Sequence, residues 1–389
     1  MPETANTRSS AVRSEPVLPP PWRQRINDTQ DAAKRGEFHV RDMPGYVEGE
    51  PASPKTWHHT DALDIYPLVY GRECGANGIG RLTEVALVEI TPAERFELFD
   101  EDPMYFPQTG LTYTDLDTSR MRDQSAEYQA ALEAAGVLVH RVAFPSPPVG
   151  AYGPMRGTWA ANELLVLRGG SVIEKIAINP YGTGRSEYLA YWAWTELGVP
   201  PLLTIAGEGV AEAGPCFWLA EDVFVAAHGL AYNRDGLDQL LPAVARSSRM
   251  TLEELSVLTI ECGGGRYFYP KVGISHHPDM VLGPLDIGKV IAYPPGIDFT
   301  TWSWLKDHDY QIVEVDRDEQ LQFSPANVTI VEPGRVIMVE GATDAIAGVR
   351  KLGVDVTTVA YDEFLRSGGG LHCSTMRVAR EPGPYSTDR

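Results

Sequence analysis

The chain has 389 residues, 43% hydrophobic and 9% aromatic, which is enough apolar material for a large core and excludes disorder of the whole. Against 33 Lys and Arg stand 53 Asp and Glu, a net charge of −20, and no basic run exceeds a pair, so nucleic acid and anionic membrane surfaces are unsuitable partners. No stretch reaches the roughly 18 apolar residues of a membrane span, and the polar N-terminal residues lack a signal peptide's apolar centre, so a soluble, cytoplasmic protein is expected.

Residues 1–65 carry seven prolines from Pro16 to Pro54 and few periodic apolar positions, and read as a partly disordered extension, with 1–15 the least ordered. A catalytic domain is expected over 66–381 and a frayed tail over 382–389. Leu82–Ile90 reads as the first strand. A unit then recurs at 128–142, 192–205, 299–315 and 346–359, in which a helical pattern passes through a turn into a β run. Each helix is expected to stop at Gly136, Gly198, Asp309 or Gly353, residues that tolerate the left-handed conformation. Further strands are expected at 163–167, 216–219, 223–227, 290–293 and 336–340. A radial α/β arrangement with strands converging on a central site would use all of them.

Four cysteines, Cys74, Cys216, Cys262 and Cys373, are too few and too scattered for a disulfide framework, and no CxxC pair suggests zinc, so neither metal nor cofactor is expected. The segment Ser367–Thr375 stands out because three consecutive glycines lead into His372-Cys373. Glycines in series imply unusual backbone angles or a ligand passing close, and a reactive thiolate needs an open, polar setting. The alternative is a flexible loop with an inert thiol. Near Ser275–Asp279, His277 and Asp279 flank Pro278, and an extended segment would send both to one face for acid–base work. A metal site lacks a third ligand, and a surface loop is the plain alternative. Glu163 and Glu212 stand at strand ends and would be either solvated or functional. Arg185 and Glu187 either grip a substrate carboxylate or pair with each other. The glycine runs at 75–80 and 262–265 lack the context of a phosphate loop.

In chain order these motifs resemble the guanidine-modifying (pentein) superfamily, which contains arginine deiminase, dimethylarginine dimethylaminohydrolase and the amidinotransferases. The resemblance runs from about Tyr70 to Glu381 through Gly80–Val88, Arg185-Ser-Glu187, His277-Pro-Asp279, Ala326-Asn-Val328, Glu332–Ile337 and Gly368–Met376. It implies a five-fold α/β propeller and a small guanidino compound as substrate. By motif position Cys373 is the implied nucleophile, His277 the general acid/base and Glu212 its carboxylate, with Glu163 and Asp279 on the guanidinium and Asn162 and Arg185 beside them. Hydrolysis is the favoured reading. Transfer of the amidino group to an amine acceptor is the rival, a non-catalytic guanidine-binding relative is the third, and a homodimer is left open. Three departures bear on the substrate: Asn162-Glu163 replaces an Arg-Asp pair, Pro215 ends the segment that begins at Glu212, and Ala231 stands where deiminases often carry a carboxylate-binding arginine.

Overall fold

Helices in this chain stop where a residue can turn left-handed. Gly136, Gly198, Asp309 and Gly353 have φ of 83, 69, 53 and 78°, each closing a helix before a strand. The computed structural model describes residues 62–90, 115–143, 163–175, 185–229, 231–262 and 277–388, with short pieces between 28 and 49. Its contacts divide into two units, Met1–Arg72 and Glu73–Arg389. The first unit contains helix α1, Ala62–Tyr70; the expectation for residues 1–15 lies outside the described residues.

The second unit repeats one plan in five three-stranded sheets. In four of them an outer strand pairs antiparallel with a central strand, and a helix then crosses to a third strand parallel to the centre. These are β3 Leu164–Leu167, β4 Gly170–Ile173, α3 Arg185–Leu197 and β5 Pro201–Thr204; then β6 Phe217–Ala220, β7 Val223–Gly229, α4 Arg234–Ser247 and β8 Ser256–Cys262. They continue with β9 Leu282–Asp286, β10 Lys289–Ala292, α5 Phe299–Asp307 and β11 Gln311–Glu314. After α6, Arg317–Phe323, come β12 Thr329–Glu332, β13 Arg335–Val339, α7 Thr343–Lys351 and β14 Asp355–Val359.

The remaining sheet has β1 Leu82–Val88 at its centre, with α2 Thr118–Ala134 crossing to β2 Leu138–Val142. Its antiparallel strand comes from the far end of the unit: after α8, Asp362–Arg366, strand β15 Met376–Arg380 pairs with β1, Leu82 opposite Arg380.

Helix starts follow side-chain chemistry. Asp117, Asn233, Asp298 and Asp316 each accept backbone N–H bonds from the first turn of α2, α4, α5 and α6. The sequence pattern revealed four of the five helix-turn-strand units and missed α4–β8. That helix carries Pro242 inside it and its left-handed turn residue is Arg249, φ 58°, where no glycine announces the turn.

Burial is graded across each sheet. The antiparallel strands β3 and β6 are buried at every residue, whereas β5 and β14 are largely exposed or half-buried. The ends of the chain segments that precede the antiparallel strands therefore lie at the buried side. The glycine run 75–80 is structural: a Cβ at Gly78 would lie within 2.1 Å of Glu221 Oε2, and Asn77 donates to Ser247 and Ser248 at 2.8 and 2.9 Å. The tail expected to fray is tied down, with Gly383 N donating to Glu221 Oε2 at 3.0 Å and Ser386 N to Asp222 Oδ1 at 2.7 Å. Among the described residues no helix is long and apolar enough to cross a membrane.

Candidate active site

The graded sheets explain which residues meet. Glu163 precedes β3, Glu212 precedes β6, His277 and Asp279 precede β9, Asn327 precedes β12 and Cys373 precedes β15, each within five residues of its strand. Five sheets built to one plan thus each deliver a polar side chain from the same place, the entry to the buried antiparallel strand.

Cys373 is 6% exposed. Its thiol lies 3.4 Å from Asp279 Oδ2, and Asn327 Nδ2 donates to the sulfur at 3.2 Å. Asn327 also donates to Asp279 Oδ2 at 3.0 Å, and its Oδ1 accepts from the His372 amide at 2.9 Å. Asn327 thus ties the nucleophile candidate, its neighbour and the carboxylate together. The glycine run makes this approach feasible: Gly368 has φ 101°, and a Cβ on Gly370 would lie 2.6 Å from Asn327 Oδ1. The hydroxyls of Ser374 and Thr375 bond back to the carbonyls of Gly370 and Leu371, and Tyr128 OH bridges Thr375 and Thr329 at 2.7 and 2.6 Å. The loop is braced.

An open setting for the thiol was expected, and the structure buries it instead. Burial and then the charge of Asp279 push Cys373 well above its ordinary pKa, against the hydrogen bonds from the Gly370 backbone and Asn327 that favour thiolate. The resting group is a thiol.

His277 and Asp279 do come together at one site, but not through an extended segment. Pro278 occupies the first position of a 3₁₀ turn, Pro278–Met280, with His277 as its extended N-cap. His277 Nε2 lies 2.5 Å from Glu212 Oε2. Burial opposes the charged ring, but the hydrogen bond to Glu212 and the charges of Glu212, Asp279 and Glu163 outweigh it, so the His277 pKa stands above the ordinary value. Glu212 is 6% exposed, and its second oxygen, Oε1, is buried with no hydrogen-bond partner among the described residues. Ala231 offers its backbone carbonyl to the Glu212 amide at 3.2 Å.

Asp279 is 2% exposed. Burial would raise its pKa, but the hydrogen bond with His372 Nδ1 at 2.8 Å and nearby positive groups hold it below the usual carboxylate range. Glu163 is half-buried and acts on the charge of His277. Asn162 lies outside the described residues, as does the side chain of Arg185, whose backbone opens α3 rather than a loop.

Three residues of the cluster were not assigned from the sequence. Asn327 lay within a quoted motif, Ala326-Asn-Val328, and was the recoverable one. His372 was singled out beside Cys373 without a role, which its partners Asp279 and Arg377 supply, and Arg377 reveals itself only by its partners. Among the described residues no group of three or more His, Cys, Asp or Glu is arranged to hold a metal ion.

Comparison with known proteins places these features in a family. The arginine deiminase profile matches residues 298–380, the stretch that carries Asn327 and Cys373. The chain is 34% identical over 366 residues to a 2-nitroimidazole nitrohydrolase of Mycobacterium sp. (strain JS330), covering 91% of this chain and 95% of that protein. It is 28% identical over 209 residues to inosamine-phosphate amidinotransferase 1 of Streptomyces glaucescens, covering 50% of this chain and 58% of that one. In structure it is similar to dimethylarginine dimethylaminohydrolase from Pseudomonas aeruginosa, with TM-score 0.57, 17% identity, and coverage of 76% of this chain and 99% of that one.

Proposed function

Because the chain belongs to the guanidine-modifying (pentein) superfamily, we propose that it is a cysteine-dependent hydrolase of the guanidino group of arginine or an arginine-like compound, with its five sheets arranged as a five-fold propeller. The carrying observation is the meeting of Cys373, Asp279 and Asn327 with the His277–Glu212 pair. A guanidinium is planar and cationic, so Asp279, Glu163 and the unpartnered oxygen of Glu212 suit its N–H groups and leave its central carbon to the sulfur. Arrival of that cation beside Asp279 offsets the charge that holds Cys373 protonated, so substrate itself favours thiolate. Asn162 and Arg185 belong to the same reading as contacts for the rest of the substrate.

As the substrate cation binds, the Cys373 thiol proton passes to solvent, and the thiolate attacks the central carbon, forming a C–S bond and a tetrahedral adduct. His277 gives its proton to the departing amine as the C–N bond breaks, leaving an S-amidino cation on Cys373. The neutral imidazole then takes a proton from water, the oxygen adds to the same carbon, and the C–S bond breaks to release a urea-type product and the thiolate. Glu212 holds the His277 ring in place and favours its charged form in both halves. A cytoplasmic setting accords with four free cysteines.

A second reading follows from the 34% identity to the nitrohydrolase. Carbon 2 of a 2-nitroimidazole also sits between two nitrogens, and its leaving group, nitrite, needs no proton. Loss of the arginine at position 231 accords with a substrate that has no carboxylate to hold. The test is product identification by mass spectrometry with a panel of arginine, its N-methyl forms, agmatine, guanidinoacetate and 2-nitroimidazole, with and without glycine as acceptor. A ureido product without acceptor, absent in Cys373→Ser, is the expected result. Nitrite from 2-nitroimidazole alone selects the second reading, product only with acceptor makes the enzyme an amidinotransferase, and equal turnover in Cys373→Ser sinks the mechanism.

A further inference from the structure

Arg377 is a buried cation that the reaction above leaves without a task. It lies on β15, is 7% exposed, and its guanidinium reaches in two directions. One arm, Nη1, bonds to Nε2 of His372. The other, Nη2, donates to the Gly214 carbonyl at 2.8 Å and lies 3.5 Å from that of Cys216, in the segment that begins at Glu212. Gly214 is held from its other side by Glu174, which accepts its amide at 3.0 Å.

The chemistry of the first arm is decisive. A guanidinium has only donors, so Nε2 of His372 must be the acceptor and carry no proton. The proton of the neutral ring then sits on Nδ1, facing Asp279 Oδ2 at 2.8 Å, the same oxygen that Asn327 and the Cys373 thiol address. Protonating Nε2 would set two N–H groups head to head in a buried space.

We infer that Arg377 is a positioning residue that locks His372 as the neutral Nδ1–H tautomer, so that His372 serves as a fixed donor to Asp279 and His277 is the one imidazole of the site that exchanges protons. The groups facing His372 agree with this division. Burial first, then the charge of Arg377, lower its pKa to about 4 against the pull of Asp279, and Arg380 adds to the lowering. The edge of Phe217, with ring centroids 5.9 Å apart, completes its surroundings. Two histidines near one thiol are thus driven apart in basicity, His277 upward and His372 downward. The same guanidinium ties the Glu212 segment to the strand that follows Cys373, so both halves of the site share one anchor.

The inference rests on the reading of Cys373 as the nucleophile, but its test does not require turnover. The full chain labelled with ¹³C,¹⁵N-histidine is compared by NMR with Arg377→Gln and Arg377→Lys, while Cys373 alkylation by iodoacetamide is followed against pH. Wild-type His372 is expected as the Nδ1–H tautomer throughout neutral pH. In Arg377→Gln it should titrate at least one pH unit higher than in wild type, and alkylation above neutral pH should slow roughly tenfold because a positive charge near the sulfur is lost. Arg377→Lys, which keeps charge and a donor, should fall between them. An Nε2–H or ordinarily titrating His372 in the wild type overturns the inference without any variant, as does an unchanged His372 in a folded Arg377→Gln. A wild type that turns over substrate equally well as Cys373→Ser would defeat the proposed function while leaving the tautomer result readable.

Discussion

Cys216 and Cys373 occupy comparable corners of two sheets built to the same plan, one just ahead of β6 and the other just ahead of β15. Both are buried, and for both the removal of water is the largest influence raising the thiol pKa. Their neighbours differ. Cys216 meets the Tyr232 hydroxyl and the Glu212 carbonyl, the latter at 4.0 Å, whereas Cys373 faces an amide donor and an ionised carboxylate in a loop whose glycines let Asn327 approach. Burial alone therefore does not set the proposed nucleophile apart from Cys216. What separates them is contact: Asp279 and Asn327 touch the Cys373 sulfur at 3.4 and 3.2 Å, whereas the charges of Glu174 and Asp279 act on Cys216 without a hydrogen bond to its sulfur.

The sharpest way to break this comparison is to exchange each sulfur for oxygen. Cys373→Ser should lower turnover by roughly 10⁴-fold or more, and Cys216→Ser should stay within about threefold of wild type. Comparable losses in the two variants would mean the corners are not functionally different. Next in size, His277→Ala should slow formation and breakdown of the covalent adduct by roughly 10²- to 10⁴-fold, measured by quenched-flow mass spectrometry. Normal adduct decay in that variant would assign the second proton transfer to another group.

Glu212→Gln should have a smaller effect with a defined sign. The hydrogen bond and charge of Glu212 raise His277 against burial, so their removal should move the alkaline limb of the pH–rate profile to lower pH. The same pair stabilises the fold fully below the ordinary histidine value of 6.5, and that contribution is lost as pH rises through the raised folded value. Wild type and Glu212→Gln should therefore differ most in thermal stability on the acid side. Tyr128→Phe tests the bracing of the Cys373 loop: loss of the bridge between Thr329 and Thr375 should cost about 1–3 kcal/mol of stability with turnover largely kept. An unchanged melting temperature would show that the loop holds itself.

Much of this was legible in the residues, for local reasons. Left-handed turns at Gly136, Gly198, Asp309 and Gly353 and apolar central strands announce themselves within a few positions. The unit α4–β8 did not, because Arg249 adopts a conformation that its side chain does not advertise and Pro242 interrupts the helical pattern. Within the site, Cys373, His277 and Asp279 were visible as spaced motifs. The grip on the Glu212 segment was not, because Gly214 meets Arg377 across 163 positions and Glu174 across 40. Burial of Cys373 was likewise hidden, since a glycine run reads as openness in one dimension and as close packing in three.

The pairing of β1 with β15 bears on how the chain folds. Thr83 donates to the Ala379 carbonyl although 296 positions separate them, a far longer loop closure than the four other sheets need, so the first sheet is expected to close last. Cys373 lies three residues ahead of that last strand. Assembly of the surroundings of Cys373 is expected to accompany that closure, with its thiol open to oxidants and alkylating agents until then. Protection of Cys373 from a thiol reagent during refolding should consequently lag the recovery of helical signal and report closure of the first sheet.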